Sequence, residues 1–178
     1  MEMKVSTRTE QILTVLKILA WVAFFGFAVS AVLFLSSYIS GFWNSINIFD
    51  IKEDPNLLQL RQENSGLYTI LMAFSFIMAL LKAIVWWMVA KIIDKIKIDN
   101  PFSIEVVHQL EYISYSLFTI WVLSVTGGGF IAWLGEKAGT LNDSWNKGPF
   151  LFMAGLVFVI SQIFKRGVEI QSENDLTV

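Results

Sequence analysis

Along the chain, polar residues gather in clusters and leave long apolar stretches between them. The first stretch, residues 18–49, carries no formal charge and is dense in Ala, Val, Phe and Leu as far as Tyr38, which predicts a transmembrane helix at about 18–40. A second runs from about 67 to 93 and is interrupted at Lys82, then resumes through Trp86 and Trp87. As one helix its 27 residues reach about 40 Å, more than a hydrocarbon core of roughly 30 Å, so it must tilt or protrude. Uncharged runs at 112–135 and 148–164 predict two more spans, the last being the shortest. The pattern predicts one all-α domain over 1–178, an integral membrane four-helix bundle, with an outer loop at 41–66, a cytoplasmic loop at 94–111 and a cytoplasmic tail at 165–178.

Composition agrees with a membrane as solvent. Hydrophobic residues make up 55% of the chain and charged ones 16%, against about 25% charge in soluble domains, and mean hydropathy is +0.60. A soluble helical protein competes with this reading, but such proteins seldom string four long apolar stretches into so short a chain. A net charge of −2 argues against a nucleic-acid partner. Without cysteine there is no disulfide or thiolate chemistry, and one histidine cannot build a His-rich metal centre. The expectation is therefore no enzyme, no catalytic residue, no cofactor and no metal.

Lys and Arg near the span ends set the orientation. Lys4, Arg8, Lys17, Lys91, Lys95, Lys97, Lys165 and Arg166 fall on one side, and only Lys52, Arg61, Lys137 and Lys147 on the other. Both termini are then cytoplasmic, in a multi-pass membrane protein. A cleaved signal peptide ending near Ala28-Val29-Ser30 is the alternative for the first span; the apolar run continues past Ser30, favouring an uncleaved anchor. No lipidation motif occurs, since residue 2 is Glu2 and cysteine is absent.

Between the spans, Asp54 and Pro55 suit the start of a short helix with an oily side at Leu57, Leu58 and Leu60. Asn142-Asp143-Ser144 matches a glycosylation sequon and is assigned no function. Pro101 stops any preceding helix, and Ser103 with Glu105 can cap a new one that leads through Ile104, Val107, Leu110 and Ile113 into the third span. His108 on that segment reads as solvated or locally hydrogen-bonded.

The run Asn100-Pro101-Phe102-Ser103, with the endings Phe164-Lys165-Arg166-Gly167-Val168-Glu169 and Glu173-Asn174-Asp175-Leu176-Thr177-Val178, resembles a bacterial four-span membrane family of unknown function over most of the chain. That resemblance implies a regulated multi-pass protein of the bacterial cytoplasmic (inner) membrane, often the companion of small Cro-type helix-turn-helix regulators, and brings no known reaction or substrate.

The tail has two readings. Lys165 and Arg166 suit a helix C-terminus, and Gly167 can end or bend the helix there. Glu169, Glu173 and Asp175 then fold back to clamp the lysines of the second loop. Alternatively Asn100, Pro101, Phe102, Glu173, Asn174, Asp175, Leu176 and Val178 present a cytoplasmic surface to a partner, with Leu176 and Val178 as apolar anchors.

Lys82 is the ionisable residue well inside a span, where a charge costs about 2.5 to 3.5 kcal/mol on insertion scales. Counted from the cytoplasmic ends, Ser30 and Ser124 reach similar depth. Lys82 is then a structural lysine bonded to hydroxyls and backbone oxygens, the counter-ion of an anionic ligand or lipid headgroup, or part of an ion pathway. Gly127-Gly128-Gly129 permits close packing or marks a helix break. Phe24, Phe25, Phe27, Phe74, Phe76 and Phe158 read as lipid-facing or packing groups. The functional expectation is a regulatory or accessory subunit of a membrane complex, in contact with membrane lipids and with another membrane protein or a second copy. The alternative is handling of a small molecule, lipid or peptide, including protection against a toxin, through Lys82.

Overall fold

The computed structural model describes residues 8–43, 55–95, 103–138 and 148–175. They form five helices, α1 (Arg8–Trp43), α2 (Pro55–Glu63), α3 (Ser65–Lys95), α4 (Ile104–Ala138) and α5 (Gly148–Asp175). Four segments, Glu10–Ile39, Ser65–Lys95, Ile104–Leu134 and Gly148–Glu173, are long and apolar enough to cross a membrane. The all-α four-helix bundle expected from the apolar stretches is the observed fold.

Local chemistry sets the helix ends. Pro55 opens α2, where its missing N–H is no loss; Asp54 lies outside the described residues. Asn64 closes α2 by donating its N–H to the Leu60 carbonyl at 2.8 Å, and opens α3 by accepting from the Leu67 N–H through Oδ1 at 3.2 Å. Ser103 caps α4, taking the Val106 N–H on its hydroxyl at 3.4 Å and the Val107 N–H on its carbonyl at 3.1 Å. From there α4 runs unbroken through Gly127-Gly128-Gly129 to Ala138.

The long helices pack in the order α1, α3, α4, α5, each mainly against its neighbours in that row, and α2 lies on α3. Consecutive members are antiparallel. Lys17 pairs with Asp94 at one end of α1 and α3, while the Tyr38 and Thr69 hydroxyls meet 3.4 Å apart at the other. Lys95 pairs with Glu105 at 2.9 Å where α3 ends and α4 begins, and Phe74 stacks on Phe130 toward their opposite ends. Gln162 of α5 donates to Glu111 of α4 at 3.4 Å, and the buried Ser114 hydroxyl donates to the Ala154 carbonyl at 2.9 Å. The ends of α1 and α5 that face the chain termini therefore lie at the same, charged end of the molecule.

Two apolar cores fill the bundle. One, nearer the charged end, joins Val85 and Ile92 to Val106, Ile113 and Leu117 and to Ala154. The other, at the far end, joins Leu60, Tyr68 and Leu71 to Ile131 and Leu134. Outward faces are apolar as well: Val22 is 64% exposed and Phe152 73%, surfaces that hydrocarbon covers and water does not.

α5 is staggered against the row. Its first turn lies beside Ser124, fourteen residues short of the end of α4 at Ala138, which is about 21 Å of helix rise. With Gln162 opposite Glu111, α5 then outruns the start of α4 by some six residues, about 9 Å.

This corrects the expected tail. α5 neither ends nor bends at Gly167 but continues to Asp175. Arg166 binds Glu169 one turn on at 2.8 Å, and the Ser172 hydroxyl donates to the Glu169 carbonyl at 2.7 Å. One glycine costs a helix only about 1 kcal/mol relative to alanine, which is too little to end it here, and the Arg166–Glu169 pair runs along the helix in its support. The clamp on the second-loop lysines is not formed among the described residues. Glu169 is taken by Arg166, Lys95 by Glu105, and Lys91 lies 3.8 Å from the centroid of the Trp87 ring.

Candidate polar site inside the bundle

Helical spacing builds the site. On α3, Ser75, Met78, Ala79 and Lys82 follow one another at three and four residues and so share a face; on α1, Phe27, Ser30 and Phe34 do the same. Where these faces meet, with Ser124 of α4 and Pro149 and Phe150 of α5, they enclose a cavity of about 310 Å³. All four long helices contribute. Lys82 sits thirteen residues before the end of α3, about 20 Å along its axis, in the middle third of the bundle.

The Lys82 ammonium lies between two rings, 5.8 Å from the centroid of Phe27 and 5.5 Å from that of Phe150. Both contacts attract a cation through the ring quadrupole. No acid pairs with Lys82 among the described residues. The serine hydroxyls are committed elsewhere: Ser30 donates to the Gly26 carbonyl at 2.9 Å, Ser75 to Leu71 at 3.0 Å and Ser124 to Ile120 at 2.8 Å. Each gives its proton to its own helix and keeps its oxygen lone pairs for an incoming donor. Pro149 and Phe150 bring the first turn of α5, the positive end of its helix dipole, to the same cavity. The cavity is thus electropositive, with a wall of hydroxyl oxygens.

Residues 56–178 match the DUF2975 family, a protein family of unknown function. The chain belongs to this family. The match takes in nearly all of α2 and the whole of α3, α4 and α5, while α1, which brings Phe27, Ser30 and Phe34 to the cavity, precedes it. No curated protein and no solved structure matches this DUF2975 chain.

Of the residues singled out in the sequence, Lys82, Ser30 and Ser124 come together in the DUF2975 cavity. Ser75 was missed, although it lies two turns before Lys82 on the same face. Phe27, read as lipid-facing or packing, flanks the ammonium instead. Pro149 and Phe150 carried no signal, because their depth follows from the stagger of α5. Glu173 is exposed near the end of α5, and Asn174 and Asp175 belong to its last turn. Asn100, Pro101, Phe102, Leu176 and Val178 lie outside the described residues. Sequence reading also overlooked a half-buried polar contact at the charged end, where Glu111 accepts from Gln162 and lies 3.5 Å from His108 Nδ1.

Proposed function

We propose that this DUF2975 protein is a non-enzymatic multi-pass protein of the bacterial cytoplasmic membrane, with both termini inside, that binds a polar group of a small molecule, lipid or peptide at Lys82. A single observation carries the reading: Lys82 opens into a cavity walled by all four long helices, with no acid beside it among the described residues. A charge at this depth is costly, and an arrangement serving only packing would have put an apolar side chain there. Purification of the wild type and Lys82→Met in mild detergent tests the reading. The expected result is a bound molecule, seen by native mass spectrometry and as density beside Lys82, that the variant loses while keeping its thermal stability. Equal occupancy in both proteins, or none in the wild type, removes the proposal.

A second reading, an accessory subunit of a membrane complex, is favoured by the course of α5. Its final turns continue as helix past the start of α4. Deleting residues 173–178 is expected to leave the bundle as stable as before, within about 0.5 kcal/mol as for surface changes, and to abolish co-purification of a protein partner. Loss of bundle stability would point back to the clamp.

A further inference from the structure

Building on the reading of Lys82 as a binding residue, we infer that the ligand is an anionic amphiphile that slips in sideways from the bilayer between α1 and α5, its carboxylate or phosphate head at Lys82 and its chain left in hydrocarbon. Charge gives the head. Lys82 is the one ionisable group lining the cavity, the hydroxyl protons are already committed, and what remains is the ammonium, with the positive end of the α5 dipole beside it at Pro149 and Phe150. An oxyanion satisfies both and leaves the serine oxygens to the lysine.

Size and route give the rest. At about 310 Å³ the cavity stands at the lower limit for small-molecule pockets, enough for a head and a few carbons but not for a whole lipid. The chain of such a ligand must leave through an opening. Toward the charged end, the core around Val85, Ile92, Val106 and Ile113 fills the space between α3 and α4. Toward the far end, Tyr68 and Leu71 pack on Ile131 and Leu134. α1 packs on α3, α3 on α4 and α4 on α5, whereas α1 and α5, the two ends of the row, share no such seam. At that gap stand Phe34, 38% exposed, and the first turn of α5, followed by the exposed Leu151 and Phe152. Among the described residues, the exposed side chains at this opening, Phe34, Leu151 and Phe152, are apolar.

The test uses the full chain in lipid nanodiscs with photoactivatable probes: a diazirine fatty acid, a diazirine phosphatidylglycerol and a diazirine phosphatidylcholine. The two acidic probes are expected to label peptides containing Phe27, Phe34 or Phe150, about tenfold less in Lys82→Met and near wild-type in Lys82→Arg, equivalent to about 1.4 kcal/mol. The zwitterionic probe should label weakly throughout. If inorganic phosphate or acetate binds in a Lys82-dependent way, by titration calorimetry, and no acidic lipid labels the cavity, the lateral amphiphile is wrong while binding at Lys82 stands. If all three probes label alike in wild type and variants and neither free anion binds, both fall. Should Lys82→Met not fold, the comparison of acidic with zwitterionic probes on the wild type decides alone.

Discussion

Serines deep in this bundle meet their hydrogen-bonding needs in two ways, across helices or within one. Ser114 reaches across from α4 to the Ala154 carbonyl of α5, and both residues are buried. Ser124 bonds within its own helix and is also buried. Ser114→Ala removes an interhelical bond and is expected to cost about 0.6 to 1.5 kcal/mol, read as the shift in a reversible detergent-unfolding curve. Ser124→Ala, losing a local bond that the helix does not need, should cost less in the same assay. The meeting of Lys82, Ser30 and Ser124 was legible because three continuous antiparallel helices can be counted inward from their charged ends. Which way each side chain faces was not, since apolar residues surround all of them and a helix hydrophobic on every side shows no buried stripe.

Helix length and helix position separate in the same way. Apolar runs, Pro55, Asn64 and Ser103 mark where α2, α3 and α4 begin, because capping is a local matter of which oxygen can reach which N–H. The i,i+3 spacing of Arg166 and Glu169 that carries α5 past Gly167 was overlooked beside the glycine, whereas the stagger of α5 was not readable, since it depends on the seat against Ser114 and Glu111. The triple glycine shows position deciding consequence. Gly127 and Gly128 are buried, whereas Gly129 is exposed and a Cβ there would meet nothing within 4 Å. Gly129→Ala is expected to leave the melting temperature unchanged or raise it, by up to about 1 kcal/mol of helix propensity. Gly128→Leu should lower stability by about 1 to 3 kcal/mol through overpacking. Thermal melts of the two variants in one detergent compare them directly.

For the molecule as a whole, the apolar stretches announced an all-α membrane bundle, and that is the observed architecture. The order of the helices in space was beyond a sequence in which every span is apolar all round. Sidedness is open to direct test, because the chain has no cysteine and each introduced one is unique. In cells, Arg8→Cys and Glu173→Cys are expected to resist a membrane-impermeant maleimide until the membrane is opened, while Gln62→Cys, exposed on α2, reacts from outside. Labelling of Arg8→Cys and Glu173→Cys from opposite faces would undo the even number of crossings.

One further consequence belongs to α1. It stands at the end of the row and leans chiefly on α3, yet it supplies Phe27 and Ser30 to the chamber. A turn of this outermost rod about its long axis, by about 100°, would withdraw Ser30 and bring Ala31 round in its place. Lys82, Ser75 and Ser124 sit on the other rods and would keep their places, so such a turn would take one hydroxyl from the chamber and leave its charge.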